Sequence, residues 1–285
     1  MVSVVLVGVL AAVAVSQGCA YSDLRSQAMV DGSVSQDDRA KGRALLESLA
    51  RSHGGVDAWK AHRNARVVLS DTWFSTVAYW VAAPWSENGQ TFEMTALLGT
   101  DNSRLVFMGG DDDGQHWGIQ NWASYTADGP NATVRFEQDD DIVFWLPTIE
   151  YFIEAPFRLR EAELVTWIGQ RELQGRRYDL VVATWGQDAP QDLVDQYVAW
   201  IDVETGRLAY LTFTVRDFLD SMVGTMSYRD YRTVQGIDVA MTMVNVDEPG
   251  GDTTGHKMKI SSIEFGVDVP DAFVVPEPER RRSKY

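Results

Sequence analysis

Most of the chain after residue 66 consists of β-strand-like segments joined by short turns, and this pattern limits the fold more than any other feature of the sequence. β-branched and aromatic residues recur in runs of strand length. Glycine-containing turns separate several runs, among them Asp112–Gly114, Glu204–Gly206 and Gln235–Gly236. Parallel strands need long crossover connections, which these spacings do not provide. The sequence therefore predicts a mostly antiparallel sheet with strands over 67–74, 91–98, 103–109, 115–122, 132–137, 163–168, 176–185, 196–203, 207–216, 221–229, 237–246 and 256–265.

One segment inside this series has a helical pattern instead. Residues 139–161 begin with three aspartates, which favour the positive end of a helix. Large apolar residues follow at nearly helical spacing, and Pro147 and Pro156 interrupt them. Because proline lacks the backbone N–H of a helix interior, we expect several short helical pieces that lie over the mouth of a curved sheet.

A second helix is predicted before the first strand. It begins near Ser35, and its apolar residues Leu45, Leu46 and Leu49 lie on one face. We expect it to end at 53–55, His-Gly-Gly, because glycine adopts the left-handed conformation that satisfies the last carbonyl groups. A short helical turn is expected around 57–59. Together with the sheet, these elements predict an α+β fold.

Charge and cysteine content exclude several classes of function. The chain has 41 acidic and 25 basic side chains and a formal charge of −16, so its overall field repels the phosphate backbone of nucleic acids. Nucleic acid is therefore not an expected partner. Cys19 is the only cysteine of the 285 residues, which excludes an internal disulfide and a cysteine-built metal cluster.

The amino-terminal residues read as a secretion signal. Residues 2–15 are an uncharged apolar run of 14 residues, shorter than the roughly 20 that a membrane-spanning helix needs. The run leads to Gly18 and Cys19, which resemble the lipobox of bacterial lipoproteins, where the cysteine is lipidated and becomes the mature end. An ordinary secretory signal with an incidental cysteine is the alternative. We predict a signal peptide at 1–18, a lipidated tether at 19–38, one domain at 39–276 and a basic tail at 277–285.

Several short motifs recur in an order that resembles the LolA/LolB-like superfamily of outer-membrane lipoprotein-sorting proteins and lipidated lipid carriers. They are the opening helix with 53–59, the Phe-Trp-Leu-Pro run at 144–147, and the segments 175–180, 197–202 and 231–237. The resemblance covers about residues 40–276. It implies a half-barrel of roughly 11 to 12 antiparallel strands, closed by short helices around an apolar cavity that receives acyl chains.

The residues themselves also favour a cavity. Several strands are apolar on both faces, so one face must contact more than water. Met222 and Met226 share a strand face, as do Met241 and Met243, and flexible thioethers suit ligands of varied shape. The alternative is that these methionines fill gaps in an ordinary core. The predicted cavity residues are Phe92, Met94, Trp117, Trp145, Ile149, Phe152, Met222, Met226, Met241 and Met243.

No catalytic or metal-binding motif is present in the sequence. The acidic run 111–114 lacks the alternating ligands of a calcium loop and is expected to form a hairpin turn. The four histidines lack zinc-site spacing, and there is no nucleophile elbow, phosphate loop or dinucleotide fingerprint. We therefore predict no catalytic residue, no metal and no cofactor.

The sequence thus predicts a non-enzymatic binder or carrier of lipid or lipoprotein acyl chains, anchored to a membrane through Cys19. We expect it in the outer membrane of a Gram-negative envelope, with the domain facing the periplasm. Two alternatives stay open at this point. One is an envelope sensor or assembly protein that binds a protein partner on the same sheet, and the other is a hydrolase of envelope material.

Overall fold

A computed structural model describes residues 21–129, 132–217 and 221–269, and within them the chain forms one curved, unclosed sheet of thirteen antiparallel strands. The strands are β1 (Asn64–Trp73), β2 (Thr91–Leu97), β3 (Asn102–Met108), β4 (His116–Gln120), β5 (Ala123–Ala127), β6 (Arg135–Phe136), β7 (Leu164–Leu173), β8 (Arg176–Thr184), β9 (Tyr197–Asp202), β10 (Leu208–Thr214), β11 (Val223–Val234), β12 (Ile237–Val246) and β13 (Thr253–Phe265).

Nearly every strand pairs with its neighbour in sequence, as the short turns predict. The order across the sheet is β6-β5-β4-β3-β2-β1-β13-β12-β11-β10-β9-β8-β7. The first and last strands therefore pair in the middle, where Val67 lies opposite Ile263. The predicted α+β class and antiparallel half-barrel are confirmed.

One strand, β5, was missed in the sequence. The predicted strand 115–122 ends at Gln120, and the chain reverses through Asn121 and Trp122, which both have positive φ angles of 50° and 62°. Two such residues form the tight turn of a β-hairpin, which usually contains glycine. A tryptophan at this position gave no turn signal, so β5 was not separated from β4.

Five α-helices accompany the sheet in the described residues: α1 (Gln27–Val30), α2 (Gln36–Ser52), α3 (Val56–His62), α4 (Thr76–Ala82) and α5 (Asp140–Arg158), followed by a 3₁₀ turn at Leu159–Glu161. Helix α2 begins as predicted, because Ser35 and Asp38 form a reciprocal capping box. It ends at His53. The Cβ of any other residue at Gly54 would lie 2.3 Å from the Gly236 carbonyl oxygen, so this close approach requires glycine.

Helix α5 corrects the prediction of several short helical pieces. It is one continuous helix of 19 residues with Pro147 and Pro156 inside it. Interior prolines cost about 3 kcal/mol each, whereas each large apolar side chain that is fully buried contributes about 1.5 to 3 kcal/mol. Several such side chains of α5, including Ile142, Leu146 and Ile149, are buried in the main core. Burial of this face therefore outweighs the two lost hydrogen bonds.

Residues from both faces of the sheet are buried. The main core lies between the concave face, α2 and α5. A smaller cluster lies on the other face of β8 and β9, where Leu180, Val182 and Val198 contact Met29 of α1. Residues 21–34 of the predicted tether thus include a part that is packed on the sheet. No helix in the described part of the chain is both long and apolar enough to cross a membrane.

Candidate functional site

A cleft runs between α5 and the strands β9 and β10. It has a volume of about 240 Å³ and is open to solvent on one side. Its lining is mainly apolar and aromatic, with polar groups at intervals. The apolar and aromatic lining residues are Trp122, Val143, Phe144, Pro147, Tyr151, Phe152, Trp185, Tyr197, Phe213 and Val215.

The cleft exists because α5 uses two of its faces differently. Its first face, with Ile142, Leu146 and Ile149, is in the core. Its second face carries Val143, Phe144, Pro147, Thr148 and Tyr151 at i, i+1, i+4, i+5 and i+8, and these residues line the cleft. A helix that covers a curved sheet thus leaves an apolar face in contact with solvent.

Aromatic side chains connect the helix to the opposite wall. The rings of Tyr151 and Tyr197 lie 5.2 Å apart, and those of Phe152 and Phe213 lie 4.9 Å apart, measured between centroids. Trp185 contacts Tyr197 edge to face at 6.1 Å. Ring contacts of this kind stabilise the packing of α5 against β9 and β10.

Charged groups also line the cleft, and most are acidic. Four carboxylates come from four separate segments, and one guanidinium comes from the end of α5: Asp101, Glu161, Asp195, Asp217 and Arg158. Arg158 donates to Asp101 at 2.8 Å. Asp195 accepts from the Thr214 hydroxyl at 2.7 Å and from the Arg216 backbone N–H at 3.0 Å.

Two further carboxyls lie behind the cleft on the core side of α5. Glu150 is 1% exposed and Glu154 is fully buried. The Gly99 N–H donates to Glu154 at 2.8 Å. Burial raises the pKa of Glu154 to about 7, although the charge of Arg158 opposes the shift. Burial and then the neighbouring Glu154 charge raise the pKa of Glu150 well above its usual range.

A separate buried polar cluster is centred on Asp71. Its carboxylate accepts from the indole N–H groups of Trp73 and Trp85, each at 2.8 Å, and lies 2.7 Å from Nδ1 of His256. The His256 ring stacks on Trp73 at 4.6 Å between centroids. All of these groups are buried and none lines the cleft, so the cluster has a structural role in the core.

The structure distributes the ten predicted cavity residues over three environments. Only Phe152 lines the cleft. Trp117 is half-buried against the core, and Met222 is 40% exposed. The other seven are buried in the core, where side chains of α5 and the sheet interdigitate: Phe92, Met94, Trp145, Ile149, Met226, Met241 and Met243. Cys19 lies outside the described residues.

Sequence reasoning placed the cavity under α5, whereas the structure places the cleft along a neighbouring face of that helix. The residues it missed include Tyr151, Tyr197 and Phe213. Tyr151 belongs to the apolar pattern of α5, whereas Tyr197 and Phe213 lie on β9 and β10 and gave no local signal that they would line a cleft. Glu150 and Glu154 also gave a signal, because two acids at i and i+4 interrupt an otherwise apolar helix.

The sheet, its covering helix and the cleft define a LolA-like fold. The chain is similar in structure to a domain from Vibrio parahaemolyticus that is provisionally named an outer-membrane lipoprotein-sorting protein, with a TM-score of 0.53, 11% identity, and coverage of 83% of this chain and 97% of that one. A DUF1329 family protein from Desulfovibrio piger is similar with a TM-score of 0.51 and 12% identity, over 83% of this chain and 96% of that one. A LolA superfamily protein from Nitrosomonas europaea is similar with a TM-score of 0.50 and 10% identity, over 82% of this chain and 97% of that one.

These likenesses concern the fold alone, because the identities are low. No family model matches the sequence, and no curated protein matches it. In the described residues, no group of three or more His, Cys, Asp or Glu side chains is arranged to hold a metal ion.

Proposed function

We propose that this protein is a non-enzymatic binder or carrier of lipid acyl chains in the bacterial envelope, anchored to the outer membrane by a lipidated Cys19 with its domain in the periplasm. The observation that carries the proposal is the solvent-open, aromatic-lined cleft along α5. The LolA-like fold supports it, since one of the similar structures bears a lipoprotein-sorting name.

The size of the cleft indicates how much of a ligand it holds. Pockets for drug-sized ligands usually have volumes of about 300 to 1,000 Å³, and this cleft has about 240 Å³. It therefore holds part of one hydrocarbon chain. Burying six methylenes would gain about 5 kcal/mol before the costs of association. Binding of that strength is readily reversible, as a carrier requires.

The site gives little support for chemistry in the cleft. Burial raises the pKa of the cleft residue Asp195, but this carboxyl already accepts hydrogen bonds from the Thr214 hydroxyl and the Arg216 N–H. The strongly shifted acids Glu150 and Glu154 lie behind the α5 wall and do not line the cleft. A general acid must reach a bound substrate within hydrogen-bond distance. Binding without catalysis is the simpler use of this site.

The proposal is tested by filling the cleft. The chain with Cys19→Ser, which has no attached acyl group, is titrated with Nile red, a neutral dye that fluoresces in apolar surroundings. We expect saturable binding and at least a 10-fold loss of affinity in Val143→Trp, because the indole occupies the cleft. Val203→Trp is the matched control, since Val203 is exposed and does not line the cleft.

Two results would count against the proposal. One is equal dye binding by the Val143 and Val203 variants when both melt at the wild-type temperature. The other is the absence of any amphiphile in organic extracts of the purified chain, together with no dye uptake. The anchor is tested separately by metabolic labelling with an alkyne fatty acid, which we expect to label the wild type and not Cys19→Ser.

A further inference from the structure

Most of the exposed large hydrophobic side chains lie at one rim of the sheet. Because neighbouring strands are antiparallel, β1, β3, β5, β8, β10 and β12 all end at this rim, which we call the α4 rim after the helix that follows β1. Of the eleven such side chains in the described residues, nine lie there: Tyr21, Phe74, Val77, Trp80, Val81, Met108, Leu193, Met222 and Val223. Scattered exposed apolar residues need no explanation, whereas their concentration at one rim marks a contact surface.

Helix α4 contributes the largest part of this surface. Val77, Trp80 and Val81 lie at i, i+3 and i+4, which places them on one face of the helix, and all three are exposed. Trp80 is 80% exposed. Tyr79, on the other side of the helix, packs against the core. The helix thus packs one apolar face on the domain and presents a second one to solvent.

The position of α4 is fixed by hydrogen bonds at both of its ends. The Phe74 N–H, before the helix, donates to the Gly255 carbonyl oxygen at 3.0 Å. The Tyr79 hydroxyl donates to the carbonyl oxygen of Trp85, after the helix, at 2.8 Å. The exposed apolar face therefore belongs to the folded domain and is held in one orientation.

The start of the described chain lies at the same rim. The Ser22 hydroxyl donates to the Met222 carbonyl oxygen at 3.3 Å, and the Arg216 guanidinium donates to the Ser22 carbonyl oxygen at 2.5 Å. The Leu24 N–H donates to Oε1 of Gln196 at 2.8 Å. Met222, Arg216 and Gln196 all belong to connections of the α4 rim, on either side of β9 and β10. The chain therefore joins the domain at this rim.

The sequence limits how far this rim can lie from Cys19. Tyr21 is two residues after Cys19, and an extended chain covers at most about 3.6 Å per residue, so they are separated by at most about 7 Å. A lipid attached to Cys19 has its acyl chains in a bilayer, and a connection this short holds the α4 rim next to the bilayer surface. In this respect the inference rests on the proposed lipidation of Cys19.

The charge of the chain indicates which kind of contact this is. With a formal charge of −16, the domain is not attracted to an anionic head-group layer. Tryptophan and tyrosine favour the interface of a bilayer, where the ring contacts hydrocarbon and the N–H or O–H group meets water. Trp80 and Tyr21 are both exposed at the α4 rim. The contact that fits is apolar insertion into a zwitterionic bilayer.

We propose that the α4 rim is a membrane-contact surface, at which α4 inserts Val77, Trp80 and Val81 into the head-group region of a zwitterionic bilayer. The same orientation turns one end of the cleft toward the bilayer, because the cleft residues Trp185 and Val215 directly follow β8 and β10 at this rim. An acyl chain then has a short path between bilayer and cleft.

One fluorescent probe on each rim tests this proposal. Residues 1–18 are replaced by a hexahistidine tag, which keeps every described residue, and Cys19→Ser removes the only thiol. Val77→Cys or Val203→Cys is then labelled with nitrobenzoxadiazole, whose emission moves to shorter wavelength in apolar surroundings. Val203 is the matched control, since it is an exposed valine in the β9–β10 connection at the opposite rim.

The tagged chains are bound to phosphatidylcholine vesicles that contain a nickel-chelating lipid, so that the tag takes the place of the anchor. We expect the emission of the Val77→Cys probe to shift by about 10 nm or more on the vesicles, and that of the Val203→Cys probe by less than about 3 nm. Adding Trp80→Ser to Val77→Cys should reduce the shift by at least half, because the largest inserted side chain is lost.

Three results would overturn the proposal. The first is no shift of the Val77→Cys probe on the vesicles, and the second is an equal shift of the two probes. The third is a shift of the Val77→Cys probe without vesicles that grows with protein concentration, which would show that a second copy of the chain covers α4.

These outcomes are distinct from failure of the proposed function. Because the tag supplies the attachment, an absence of fatty-acid labelling in cells would end the Cys19 anchor without changing the result on vesicles. If the Val77→Cys probe inserts and Nile red does not bind, the α4 rim contacts a membrane and the carrier proposal is lost.

Discussion

At the scale of single residues, the main finding is the pair of acids inside an apolar helix. Glu150 and Glu154 lie one turn apart on α5 and are buried together. Burial disfavours the charged form of a carboxyl, and two adjacent carboxylates also repel each other. The pair therefore retains protons at pH values where free glutamate has lost them, which couples the stability of the covering helix to pH.

The predicted consequence is a pH-dependent gain of stability on neutralising Glu154. Its pKa is about 7 in the folded protein and 4.5 is its usual value, so the folded state binds more protons than the unfolded state between these pH values. Stability contributed by this group is therefore lost as pH rises through that window. We expect the free energy of unfolding of Glu154→Gln, taken relative to that of the wild type, to rise by about 2 to 3 kcal/mol from pH 5 to pH 8, measured by urea unfolding.

The difference between variant and wild type is the quantity to measure, because His53 acts in the opposite direction. Burial lowers the pKa of His53 to about 4 from 6.5, so its contribution to stability rises with pH between these values. Glu172→Gln, at an exposed position, is the control. Its free energy of unfolding relative to the wild type should change by less than about 0.5 kcal/mol over the same pH range. A difference for Glu154→Gln that stays flat from pH 5 to pH 8 would show that this carboxyl is ionised throughout.

At the scale of secondary-structure elements, close backbone approach decides how the helices rest on the sheet. Helix α2 lies against β7, and Gly42 faces the strand. A Cβ atom at this position would lie 2.7 Å from the Trp167 backbone nitrogen. Lys41 beside it lies 3.3 Å above the Trp167 ring centroid. Glycine in this helix therefore serves packing, although it weakens the isolated helix.

This arrangement reverses the usual effect of a glycine-to-alanine change in a helix. In an exposed helix interior, Gly→Ala stabilises by about 1 kcal/mol. We expect Gly42→Ala to destabilise the protein by about 1 to 3 kcal/mol instead, because the added methyl group would clash with backbone atoms of β7, which cannot move without disturbing the sheet. Chemical denaturation with circular dichroism measures the change, and a stabilised variant would show that α2 is not seated on β7.

At the scale of the whole molecule, the sheet is covered on both faces by short pieces of chain. Helices α2 and α5 cover the concave face, and residues 21–34 cover part of the other face around β8 and β9. Met29 is the buried residue of α1, and its neighbour Val30 is half-exposed. The beginning of the described chain is held on the domain by this small apolar cluster and by hydrogen bonds near its start, such as that from the Leu24 N–H to Oε1 of Gln196 at 2.8 Å. Local opening there should cost much less than global unfolding.

The two neighbours in α1 provide a matched test of this attachment. Met29→Ser removes a buried side chain, which usually costs about 2 to 5 kcal/mol, whereas Val30→Ser changes an exposed one. We expect trypsin to cleave after Arg25 at least 10-fold faster in Met29→Ser, with little change in the main melting transition. Val30→Ser should be cleaved at the wild-type rate. Equal cleavage rates in the two variants would contradict the docking of this segment on the sheet.

The sequence by itself determined the antiparallel sheet, because strand length, alternation and turn spacing are local properties. It also determined α2, because its capping box and its glycine end are each formed by residues that are close together in the sequence. Twelve of the thirteen strands start within three residues of their predicted starts, since turn chemistry limits each one separately.

Tertiary structure alone decided the rest. Pro147 and Pro156 argued locally for broken helices, and only the burial of α5 against the sheet outweighed them. The cleft depends on which apolar face of α5 meets the core and which is left beside Tyr197 and Phe213. That choice is made by packing between residues far apart in the chain, and hydrophobic burial is non-directional, so no local pattern could identify the face that remains open.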